Sequence, residues 1–184
     1  MSDTEKTEKT EKTMPPESVR LMVWLFAFAV GGEVLHQILN VTISFIDPSA
    51  LIAAAKEQTD PQRLESIGDT GVRLAAYGSV LFMGALSLAI MGLLTWMIFA
   101  LWRRSRFAGT ARRMLLVFGF YFGFRVMMLF MVTPGGTNVP VALYVVDGIV
   151  QILVGVAAVM GVFLTFKEDT LKWTRELPVA KDRS

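Results

Sequence analysis

The stretch 29–40, "AVGGEVLHQILN", decides how this chain must be read. It lies inside an apolar run from Leu21 to Ile46, yet it carries Glu33, His36, Gln37 and Asn40. At about 3.6 residues per turn, Glu33, Gln37, Asn40 and Ser44 fall on one stripe of a helix, with His36 on its edge. The run of 26 residues is long enough to span hydrocarbon, which takes about 20. A carboxylate at mid-bilayer costs about 2.5–3.5 kcal/mol on insertion scales, so such a stripe turns towards protein. The reading is a membrane helix with an inward polar seam, and that seam demands partners elsewhere in the chain.

Three further apolar runs can supply them: Leu74 to Trp102, Met114 to Val132 and Val141 to Phe166. Hydrophobic residues make up 53% of the 184, above the roughly 45–50% of a soluble domain, and they cluster in these runs. The expected fold is all-α, a polytopic four-helix transmembrane bundle spanning about 21–46, 74–102, 114–132 and 141–166. Residues 1–19 form a leader, 47–72 an outer loop with short helices, and 167–184 a tail. The first run is too long for the roughly 7–15-residue core of a secretory signal, so it reads as a retained helix. There is no cysteine, which removes disulfides and thiolate metal sites.

Lys and Arg in the connections set the orientation. The 103–113 connection, "RRSRFAGTARR", holds five arginines and no acid. The 133–140 connection, "TPGGTNVP", holds no charge, and the 47–72 loop is predominantly acidic. The tail carries Lys167, Lys172, Arg175, Lys181 and Arg183. Both termini are therefore expected in the cytoplasm, in a multi-pass protein of the plasma membrane. Trp24, Trp102 and Trp173 fall near the predicted inner boundary, where indoles favour the headgroup level. Arg103, Arg104, Arg106, Arg112 and Arg113 set topology and can also meet anionic lipid headgroups, at about 1 kcal/mol per residue near the surface.

Outside the spans the sequence is simpler. The leader "TEKTEKTEKT" has balanced charge and nothing apolar to bury, the composition of a disordered segment. In "DPSALIAAAKEQ" and "DPQRLESI" an Asp suits the N-cap and a Pro the first helical position. In the first of these, Leu51, Ile52 and Ala55 share a face. The second span, 29 uncharged residues or about 43 Å, exceeds a core of roughly 30 Å and must tilt, bend or project. Small residues four apart, Gly119/Gly123, Ala75/Ser79, Ala85/Ala89 and Ala157/Gly161, allow close helix approach.

Partners for the seam follow from depth. Arg125 and Asp147 are equidistant in sequence from Gly136, where the third and fourth spans turn. Facing one another at one level, they are expected to form an ion pair, with Tyr121 one turn below the arginine. Gln151 lies one turn from Asp147, at about the depth of His36. Glu33 then has no evident basic partner at its own depth. The expected polar cluster is Glu33, His36, Gln37, Asn40, Arg125, Asp147 and Gln151. It reads either as a latch fixing helix register or as a proton or solute site.

The rest of the functional reading is by elimination. One histidine excludes bis-histidine haem ligation, although a mixed His/Met pair stays open with eleven methionines present. Nothing resembles a Walker loop, a GxSxG elbow, HExxH or an EF-hand, so no catalytic residue, metal or cofactor is assigned. The basic loop lacks an aromatic platform and abuts a membrane, which argues against nucleic acid as a partner.

The charged leader, "RLMVWLFAFAVGGEVLHQILNV", "DPSALIAAA" and the arginine loop together resemble the small four-span membrane proteins of actinobacteria. That resemblance implies no particular activity, but several such proteins accompany larger envelope or respiratory complexes. The leading expectation is accordingly a non-catalytic accessory, assembly or interaction subunit, with the lipid bilayer and other membrane proteins as partners. Glu33, halfway along the first of four helices, is also similar to the essential glutamate of the small multidrug resistance family, which implies a proton-coupled transporter. Arg125 departs from that pattern because it would repel a cation. A membrane-embedded lipid-acting enzyme using Glu33, His36, Arg125 and Asp147 is the third reading.

Overall fold

The structure, a computed structural model, describes residues 14–131 and 139–178. The repeated leader, the turn about Gly136, and Lys181 and Arg183 lie outside the described residues. Within them the regular structure is helical: α1 Glu17–Ile46, α2 Ser49–Glu57, α3 Pro61–Trp102, α4 Ala108–Leu129, α5 Val141–Thr165 and α6 Glu168–Trp173. Three of these, α1, α3 from Glu65 and α5, are long and apolar enough to cross a membrane. The 22-residue α4, which carries Arg112, Arg113 and Arg125, is not among them.

The segment 47–72 is more helical than a loop. Asp60 caps α3 by accepting from the Gln62 N–H, with Pro61 at the first helical position, as its sequence dictates. Asp47 accepts from the Ser49 N–H and so opens α2 in the same manner. The short helix expected from "DPQRLESI" runs on into the second apolar run as one 42-residue helix, broken only at Gly68. There φ is 62° and ψ 176°, a conformation essentially reserved to glycine. Leu51, Ile52 and Ala55 are the half-buried face of α2. Phe45 stacks on Tyr77 at 5.2 Å between centroids and ties the far end of α1 to α3.

The four long helices stand in a ring, α1 beside α5, α5 beside α4, α4 beside α3 and α3 beside α1. Glycine sets the closest approaches. A Cβ on Gly155 of α5 would lie 2.1 Å from Val126 Cγ2 of α4, and one on Gly119 of α4 would lie 2.4 Å from Val162 Cγ2 of α5. On Gly32 of α1 it would lie 2.5 Å from Val154 Cγ2 of α5. Of the small pairs read from the sequence, Gly119 and Gly123 meet Val162 and Val159 of α5, and Gly161 meets Phe26 of α1. Ala75/Ser79 and Ala85/Ala89 of α3 instead lie exposed.

The core is lopsided. Met22, Phe26, Leu94, Leu101, Leu115 and Val154 are almost wholly buried, all in the half of the bundle that carries the 103–113 connection. In the other half, residues 37–46, 77–90, 123–131 and 141–150 include no buried side chain, and the buried residues beyond them are Asp47, Val72, Ala76 and Val139. Among the described residues the buried core is concentrated towards the arginine end and is sparser towards the opposite end.

Candidate functional site

The polar residues sit where the densely buried half gives way to the sparser one. Glu33 and His36 are the last buried residues of α1, and Gln151 is the first on α5. Glu33, only 3% exposed, is held by Arg125 of α4: Nη1 donates to Oε1 at 2.7 Å, and Nη2 lies 2.6 Å from Oε2. Gln37, one turn on along α1, also donates to Glu33 Oε1, at 3.1 Å. Asp147 of α5 is served in the same pattern. Its Oδ1 meets His36 Nδ1 of α1 at 2.6 Å, and Gln151, one turn on, donates to Oδ2 at 2.8 Å. Each carboxylate thus has an amide from its own helix and a basic group from another. The cluster joins α4 to α1 and α1 to α5.

This overturns the expected Arg125–Asp147 pair and the expected isolation of Glu33. For the Arg125–Asp147 pair the reason is azimuth, and for Glu33 it is depth. Gly119, Gly123 and Val126 form the face of α4 that meets α5, and Arg125 projects about 100° away from Val126. Asp147 is seven residues before Val154, hence on the face of α5 that meets α1 at Gly32. Depth misled for Glu33, because α1 has 30 residues and α4 only 22, so equal depth is not equal distance from the helix ends. Asn40 is exposed and stands outside the cluster. The Ser44 hydroxyl bonds back to the Asn40 carbonyl within the helix.

Glu33 and Arg125 also line a cavity of about 290 Å³ between α1, α3 and α4. Gln37, Ser87 and Tyr121 add polar groups to it, and Phe118 and Phe122 form aromatic wall.

The arginine end carries a second polar cluster, which sequence reasoning assigned to lipid. Arg112 is 8% exposed and turned inwards. Its Nε donates to Glu176 Oε2, its Nη2 to Glu176 Oε1 at 3.0 Å, and its Nη1 to the Thr165 carbonyl that ends α5 at 3.1 Å. Arg113 Nε donates to Glu176 Oε1 at 2.9 Å. The hydrogen bond from Arg112 holds the Glu176 carboxyl down to about 2, the Thr174 hydroxyl and Arg113 adding to it against the cost of burial. Trp173 is buried, and its indole N–H donates to the Leu101 carbonyl at 2.9 Å.

Arg104, at φ 50°, sits in the left-handed position of the turn that closes α3. It donates to the Trp173 carbonyl and lays its guanidinium 5.0 Å from that ring. Three of the five proposed headgroup ligands, Arg104, Arg112 and Arg113, are therefore engaged by the tail. Arg103 and Arg106 are exposed and rest over Phe99 and Phe107. The signal for the clamp was present in the sequence as Thr170, Trp173 and Thr174, which share one helical face and are buried together.

No family model, curated protein or solved structure matches this chain. Among the described residues, no group of His, Cys, Asp and Glu is arranged to hold a metal ion.

Proposed function

We infer that the chain is a four-span protein of the plasma membrane with both termini cytoplasmic, serving as a non-catalytic accessory or assembly subunit of a larger membrane complex. The lopsided core is the observation that carries this reading. Protein interiors are packed to crystal-like density. A bundle whose buried core is concentrated towards one end leaves more of the apolar surface in its other half for a neighbouring chain to cover. α4 joins the spans in this reading because its one mid-helix charge, Arg125, is neutralised by Glu33, and its other two arginines lie at its cytoplasmic end. The carboxylates support the non-catalytic part, since each is held by groups of the chain itself.

Site-specific photo-crosslinking tests it. Phe82 and Met127, exposed in the half with the sparser core, should capture one discrete protein in stoichiometric yield, and Val117 and Phe163, exposed in the other half, should capture none. Lipid adducts alone from all four positions would refute the reading.

The transporter reading draws on one observation, the presence of Glu33 on the wall of a cavity. It requires Glu33→Gln to abolish a pH-gradient-driven flux in vesicles.

A further inference from the structure

The cavity beneath Glu33 and Arg125 has a neighbour. A second hollow of about 390 Å³ runs between α1 and α3, lined by Ile38, Val41, Thr42, Leu81, Gly84 and Leu88 among others. Gln37 lines both, so the polar hollow and the apolar hollow adjoin at its side chain and together make a two-part cleft. From Leu81 to Met91 along α3 it extends roughly 15 Å.

Small residues keep this cleft open, and they act here in the opposite way to those on α4 and α5. A Cβ on Gly84 would find only Val41 Cγ2, at 3.7 Å, an ordinary contact. Gly119 and Gly155 admit a neighbouring helix, whereas Gly84 leaves space unfilled.

We propose that this cleft binds a neutral amphiphile with a flat, carbonyl-bearing ring as headgroup and an apolar tail, the chemistry of a lipid-soluble quinone. The polar end offers donors without net charge. Glu33 neutralises Arg125; Nη1 donates to Glu33, Tyr121 also engages the guanidinium, and Nη2 is buried without a hydrogen bond of its own, with the Ser87 hydroxyl on the same wall. A carbonyl oxygen can add to those donors, whereas a carboxylate or phosphate would have to displace Glu33 from its only cationic partner at considerable cost. Phe118, Tyr121 and Phe122 present ring faces and edges at that end, which suits a planar headgroup better than a branched glyceride. The apolar hollow then takes the tail. A cavity of 360 Å³ on the other side of α1, lined by Phe28, Gly31, Leu35, Val150 and Leu153, has comparable size but lacks the polar end.

The test uses the purified full chain in detergent micelles with a naphthoquinone bearing a short isoprenoid tail. Free and retained quinone are separated by size exclusion and read by absorbance. Retention near one quinone per chain is expected. Gly84→Leu should lower it by about tenfold, or about 1.4 kcal/mol. Gly31→Leu, which fills the apolar cavity across α1, should leave it unchanged, and equimolar oleate or diacylglycerol should not displace the quinone. No retention, equal losses in the two glycine variants, or displacement by either lipid overturns the proposal. Should Gly84→Leu fail to elute as a folded species, Ala85→Leu, on the same groove, takes its place.

Discussion

Leaving Glu33 without Arg125 would strand a carboxylate that is only 3% exposed among apolar side chains. Breaking a buried pair from one side costs about 3–5 kcal/mol, whereas removing both charges is often close to neutral. Arg125→Gln should therefore lose stability on that scale, and Glu33→Gln with Arg125→Gln should recover most of it, as read by thermal unfolding in detergent. If the double variant is as unstable as the single, the two residues are not partners. Glu33 announced itself in the sequence as an acid within an apolar run, and Gln37 followed from the i, i+4 spacing. The partner did not, because Arg125 and Asp147 had the right depth for each other and the wrong azimuth.

Among the helices, glycine divides into contact-makers and space-leavers. Gly155→Ala would drive a methyl into Val126 and towards the Phe122 carbonyl, 3.2 Å away, and should destabilise by about 1–3 kcal/mol. Gly31 has nothing within 4 Å of a built Cβ, so Gly31→Ala should stabilise by up to about 1 kcal/mol through helix propensity. Unfolding midpoints of the two variants in one detergent check both signs.

The turn after the short α6 gives a pH dependence. Glu176 titrates lower in the folded chain, at about 2 against an ordinary 4.5. Its contribution is fully present above pH 4.5 and is lost as pH falls towards 2, since the unfolded state then binds the proton first. Glu176→Gln should flatten stability over that interval, measured by tryptophan fluorescence against pH. No sequence rule paired this acid with Arg112, 64 residues earlier, because only the return of the chain at the end of α5 brings them together.

At the scale of the molecule, the absence of native cysteine makes topology directly measurable. In intact cells a membrane-impermeant maleimide should label Ala54→Cys on α2, whose side chain is exposed. It should label Arg106→Cys only after permeabilisation. The reverse pattern would invert the arrangement and place the α2 end of the bundle on the cytoplasmic side.

By itself the sequence determined the helical class, apolar runs long enough for a bilayer, of which three of the four expected are such helices in the structure, the capped start of α3, and the residues that must seek polar company. These follow from local chemistry: hydropathy over a window, an Asp before a Pro, a charge amid hydrocarbon. Only the tertiary structure decided which charge meets which, that the tail engages three of the loop arginines, and that the buried core is concentrated towards the arginine end. Those outcomes depend on how each helix is rotated about its axis and how far it slides past its neighbours. Both are fixed by contacts such as Gly32 on Val154 and Gly155 on Val126, between residues far apart along the chain.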